Sequence, residues 1–113
     1  MKRGELWTAS GGPDYAGKPR PVLIVQDDGF DATASITICG LTTNPLDAAL
    51  TRIEIRPTPD NGLLSPSRVM VDKVPTVPRA KLGVRMGVLT TAEMTRVNRA
   101  MMVFLGLAGP ASG

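Results

Sequence analysis

The chain has 113 residues, 42% hydrophobic and 20% charged, enough for one domain with a proper core and with no apolar run long enough to cross a bilayer. Thirteen basic residues against ten acidic ones give a net charge of +3, and nine of the thirteen are arginine, the side chain suited to forked contacts with phosphate. Histidine is absent, which excludes imidazole catalysis, and a single cysteine leaves neither an internal disulfide nor a conventional zinc ligand set. This balance permits a polyanionic partner without requiring one, since many solvated surfaces are equally basic. With four aromatic residues in all, the surface is poor in the stacking platforms of general single-strand binders.

Met1 to Trp7 carries charge but no apolar signal core, the start expected of a mature cytoplasmic protein. Glu5 to Ala9 is a plausible first strand, and Ser10 to Pro19 is a loop dense in glycine and proline. Arg20-Pro21-Val22-Leu23-Ile24-Val25 follows, an apolar strand buried on both faces. Proline can open such a strand but cannot sit in its middle, so Arg20 stands at its mouth, where a rigid element can aim a guanidinium outward. Ser35 to Thr42 is β-branched and alternating, and Leu50 to Arg56 alternates strictly, with Ile53 and Ile55 on one face. Pro57 to Pro66 is a loop with Asn61-Gly62 as its turn, and Ser67 to Val74 is a further strand.

Prolines 75 and 78 predict an irregular path through Thr76-Val77, followed by one helical turn at residues 80–83 and a last strand at 84–89. Thr90 with Glu93 three residues on predicts a capping box and a helix to Leu105, with Met94, Val97, Met101, Phe104 and Leu105 on its apolar face. The tail from Gly106 to Gly113 is expected to fray. Short strands closed by one helix predict a single domain, mainly β with a C-terminal α-helix, built as a small antiparallel barrel or tightly curved sheet. Cys39 is expected to be a buried small hydrophobe.

In order and spacing the chain resembles the MazF/PemK family of type II toxin endoribonucleases. The resemblance is carried by Lys2-Arg3-Gly4-Glu5-Leu6-Trp7, by Arg20-Pro21-Val22-Leu23-Ile24-Val25-Gln26 and by Gly40-Leu41-Thr42-Thr43-Asn44. It continues through Val69-Met70-Val71-Asp72-Lys73-Val74-Pro75-Thr76-Val77 and Lys81-Leu82-Gly83. It implies an SH3-like barrel of the CcdB/PemK/MazF kind, acting as a homodimer. It also implies cleavage of single-stranded RNA at short motifs without metal or other cofactor, leaving 2′,3′-cyclic phosphate and 5′-hydroxyl ends, and a cognate antitoxin whose C-terminal segment lies across the RNA groove. Carried over by motif, Arg20, Thr42 and Asp72 are the expected catalytic residues. Asp72 would serve as base if its pKa is tuned upward. Lys18, Thr43, Asn44, Lys73, Thr76 and Arg79 are the expected RNA contacts.

Two departures stand out. Pro75 occupies a position where many relatives carry arginine, which leaves Arg79 or Lys73 as substitutes, and Lys18 is the polar group comparable to a first-loop histidine of some relatives. Position alone also allows blander roles. Arg20 would pair with Asp27 or Asp28, Thr42 would satisfy a turn, and Asp72 would pair with Lys73 in an exposed contact worth roughly 0–1 kcal/mol. The same fold also serves CcdB-like topoisomerase poisons, and a non-catalytic RNA- or peptide-binding barrel is the remaining alternative.

Overall fold

A computed structural model of the protein describes residues 1–10, 19–45 and 50–109. Its strands are β1 (Glu5–Ala9), β2 (Arg20–Ile24), β3 (Ser35–Thr42), β4 (Arg52–Ile55), β5 (Ser67–Met70), β6 (Thr76–Pro78) and β7 (Leu82–Val88), followed by helix α1 (Thr91–Phe104). Among the described residues they form one antiparallel sheet in the order β4-β5-β3-β2-β1-β7, with β6 on the first half of β3. The architecture is therefore mainly β with a C-terminal helix, as the turn-punctuated strands predict.

Alternation sorts the side chains onto two faces. Leu6, Leu23, Cys39, Leu41, Ile53, Ile55 and Val69 form one cluster, closed by Val97 and Ala100 of α1. Leu6 on β1 and Ile53 on β4 lie at well-separated places in the strand order yet share this core, so the sheet is curled around it. Register shifts between β1 and β7 add to the twist. The other face carries a second cluster of Ala9, Val22, Ile24, Ile36, Ile38 and Leu82. Cys39 is fully buried, and burial pushes its thiol up to about 12.

Three boundaries differ from the sequence expectation. The strand expected to run to Val74 ends at Met70, where the Lys73 N–H bonds the Met70 carbonyl and closes a turn. The segment expected to be irregular is a short strand, β6, paired with β3 at Ile36↔Val77. Its prolines sit just before it and at its last position, where a missing N–H costs least. The helical turn is a 3₁₀ turn at Arg79–Lys81, so β7 begins at Leu82.

Helix α1 starts as expected: the Glu93 N–H donates to the Thr90 hydroxyl at 3.1 Å, and the Thr90 N–H donates to Glu93 Oε1 at 2.8 Å. Its apolar stripe is buried only in part. Val97 and Ala100 are in the core and Met94 and Met101 lean on it, whereas Phe104 and Leu105 are about half exposed. The helix outruns the core. Gly106, with φ of +74°, then turns the chain, and the Leu107 N–H reaches the Met102 carbonyl at 2.8 Å, so residues 106–109 carry backbone hydrogen bonds. Residues 110–113 of the expected tail lie outside the described residues.

Candidate active site

β2 and β3 pair at Val22↔Gly40, Leu23↔Cys39 and Ile24↔Ile38. Continued by two residues, that register brings Arg20 level with Thr42. Residues opposite one another across an antiparallel pair point to the same face, so both side chains project on the side of Val22 and Gly40. β1 meets Arg20 from the other flank at Ala9, and β5 meets Thr42 at Arg68, itself opposite Glu54 of β4. Two registered rows thus face each other across the β2–β3 boundary, Ala9 with Arg20 and Thr42 with Arg68 and Glu54.

A cavity of about 280 Å³ opens at this boundary, lined by Arg20, Val22, Ile38, Gly40, Pro75 and Lys81 among others. Its walls are apolar, because the second cluster of the sheet forms its floor. Exposed Arg20 and exposed Lys81 give it positive groups. Gly40 lies on its wall next to Met70, whose methyl a Cβ at position 40 would meet at 2.9 Å.

The Thr42 hydroxyl oxygen accepts the Asn44 N–H at 3.1 Å. A hydroxyl has one donor and two acceptor sites, so this bond orients the oxygen and leaves its proton to donate. Arg20 does not take the aspartate partners that position alone allows. Asp27 and Asp28 lie past the opposite end of β2, where Asp27 caps the next turn through the Gly29 N–H and Asp28 accepts the Arg3 N–H at 2.7 Å.

Asp72 departs from its expected role. Arg52 grips it with two bonds, Nε to Oδ1 at 2.8 Å and an Nη to Oδ2 at 3.0 Å. These hydrogen bonds hold the carboxyl below the ordinary carboxylate range, and Asp72 in turn raises the Arg52 pKa. A base tuned upward is therefore not what the fold builds there. The exposed pair with Lys73 is replaced by this half-buried fork to Arg52.

The expected RNA contacts separate into groups. Thr43 and Asn44 follow Thr42 directly and are exposed, with Thr43 on the walls of two smaller clefts. Lys73 is exposed just beyond Asp72. Thr76 bonds the Thr37 hydroxyl at 2.7 Å and is absent from the cavity wall that its neighbours Pro75 and Val77 help form. The Arg79 guanidinium ties down the turn at Phe30 and Thr33 through their carbonyls and the Thr33 hydroxyl. Lys18 lies outside the described residues. Lys81 and Arg68 were not expected in the site. Alternation does put residues 68 and 70 on one face, but the β3–β5 register that sets Arg68 beside Thr42 has no local signature.

The sequence family described as PemK-like, MazF-like toxin of type II toxin–antitoxin system matches residues 2–105. The chain belongs to that family. It is 55% identical over 109 residues to the probable endoribonuclease MazF of Mycolicibacterium smegmatis, covering 96% of this chain and 100% of the relative. An endoribonuclease MazF of Mycobacterium tuberculosis is 29% identical over 112 residues, covering 95% and 98%. Among solved structures, a mycobacterial endoribonuclease in complex with its cognate antitoxin superposes with a TM-score of 0.79 at 27% identity, over 97% of this chain and 99% of that one. In this MazF-like toxin the proline at position 75 is part of the cavity wall beside Arg20. No described helix is long and apolar enough to cross a membrane.

Proposed function

We propose that this toxin is a cytoplasmic endoribonuclease that cuts single-stranded RNA at the site formed by Arg20 and Thr42. The arrangement of β2 and β3 supports the reading: Arg20 opens β2 on the wall of the cleft, and Thr42 ends β3, the strand paired beside it. Kinship with proteins named as endoribonucleases favours chemistry over a topoisomerase poison or an inert barrel.

The reaction needs few parts. The 2′-oxygen of one nucleotide attacks its own 3′-phosphorus and loses its proton. The bond from phosphorus to the 5′-oxygen of the next nucleotide breaks, and that oxygen takes up a proton. The products are a 2′,3′-cyclic phosphate and a 5′-hydroxyl. Negative charge gathers on the non-bridging oxygens in between, and donors placed for that charge commonly supply the largest part of such an acceleration. Arg20 offers two parallel N–H groups to those oxygens and Thr42 one O–H, oriented by its bond to Asn44. Asp72 braces the sheet through Arg52 and takes no proton. The toxin acts as a homodimer, and a cognate antitoxin silences it by laying its C-terminal segment across the same cleft.

Incubation of the purified toxin with a long single-stranded RNA in EDTA tests this. Discrete fragments with cyclic-phosphate ends are expected, and Arg20→Ala should slow their appearance by at least about 100-fold with the fold intact. Intact RNA from the native protein would overturn the enzyme reading, and undiminished cleavage by the variant would remove Arg20 from it.

A further inference from the structure

Thr42 has an arginine on both sides. Arg68 is its registered partner on β5, and on the other side β2 begins at Arg20, two residues past the last β2–β3 pair at Val22↔Gly40. Alternation puts all three on the same face, because Arg68 lies between inward-facing Ser67 and Val69. Arg68 also has a cleft of its own, about 150 Å³, walled by Thr43, Pro45, Glu54, Pro66 and Arg68. It opens next to Thr42 on the side away from the cavity of Arg20. Lys81 extends the basic row at the other end, since its neighbour Leu82 is the β7 partner of Ala9.

We propose that Arg68 is a second RNA-holding residue, which grips the phosphate next to the scissile one and makes the strand run across the β-strands, from the cavity of Arg20 over Thr42 to the cleft of Arg68. This rests on the reading of Arg20 and Thr42 as the reacting site. An extended polynucleotide lying across the strands would meet Lys81, Arg20, Thr42 and Arg68 in turn, a cation on each side of the Thr42 hydroxyl. The competing explanation is that Arg68 serves the fold alone through the contact it already makes within the protein; a cross-strand pair with Glu54, which is opposite it, would be worth a few tenths to about 1 kcal/mol of fold stability. The two accounts differ in what they do to RNA. A brace leaves affinity and its salt dependence alone. A phosphate contact adds to both, because each one releases counterions from the strand.

The test uses a labelled mixed-sequence 2′-O-methyl oligoribonucleotide, which cannot be cut, and cleavage of the matching RNA in parallel. Arg68→Ala should weaken binding of the uncuttable strand about tenfold and lower the slope of log affinity against log salt by about 0.7. Its cleavage should show a raised KM with kcat within about threefold, whereas Arg20→Ala should lose kcat. Arg68→Lys should restore the salt slope, since a point charge still neutralises a phosphate. Glu54→Gln gives a second, independent readout: removing a negative charge from the cleft should tighten binding, while a purely structural pair would lose stability with affinity unmoved. Unchanged affinity and slope in folded Arg68→Ala, or in Glu54→Gln should Arg68→Ala fail to fold, overturns the proposal. Wild-type cleavage by Arg20→Ala would instead sink the reading of the reacting site, and the binding data on the uncuttable strand would still judge Arg68.

Discussion

At the scale of single residues, the fork from Arg52 decides what Asp72 can do. A carboxylate held by two charge-assisted hydrogen bonds is a poor proton acceptor near neutrality and a good strut. Asp72→Asn should therefore cost about 1–3 kcal/mol of stability in urea unfolding, by stranding a half-buried guanidinium, while cleavage stays within about threefold. The pH profile of kcat/KM makes the same point. With no imidazole and with Asp72 displaced downward, no inflection is expected between pH 5 and 8 from either group, and one near pH 6 that vanishes in Asp72→Asn would restore it as the base. The places of Arg20 and Thr42 at strand ends were legible in the sequence, the first from the proline that fixes the start of β2 and the second from the β-branched run of β3. The partner of Asp72 was not legible, because it is twenty residues away and nothing local in Thr51-Arg52-Ile53 announces the fork.

Elements show a similar division. Strands with strict alternation and the helix with its capping box could be placed from local chemistry, and Thr90→Ala should lower stability by about 1 kcal/mol, measured by thermal or urea unfolding. Positions decided by distant backbone could not. Gly87 of β7 is an instance: a Cβ there would run into the backbone of Asp60 and Asn61. The Asn61 side chain, fully buried, accepts the Thr58 and Leu63 N–H groups and donates to the Arg56 carbonyl, so this loop cannot give way without breaking its own bonds. Gly87→Ala should cost at least about 2 kcal/mol, while Ala at exposed Gly83, where only the Thr8 hydroxyl stands close, should cost less. The end of β5 and the pairing of β6 belong to the same class. Prolines forecast a break there, but the partner that turns the segment into a strand is the first half of β3.

Over the whole molecule, the curled sheet is tied at its β1–β7 seam by charge. Arg85 Nε reaches Glu5 Oε2 at 2.7 Å, and Oε1 accepts the Lys2 N–H and the Trp7 indole N–H. Burial pushes the Glu5 carboxyl up, but these hydrogen bonds outweigh it and bring it down to about 2. A carboxylate depressed in the folded state adds stability that is complete above its unfolded value near 4.5 and disappears as pH falls toward 2. Glu5→Gln should accordingly destabilise the toxin at pH 7 by about 1–3 kcal/mol, the half exposure of Arg85 trimming the larger figure, and should have little effect at pH 2. An equal loss at both pH values would assign the contribution to packing.

The sealed thiol in the middle of β3 makes the molecule its own clock. Protonated at every cellular pH and out of reach of solvent, Cys39 can meet an alkylating reagent only when the sheet comes apart, so the rate of iodoacetamide labelling measures how often this toxin opens. Saturating the protein with RNA or antitoxin should then slow the labelling in proportion to the time spent bound, with no probe engineered into the chain.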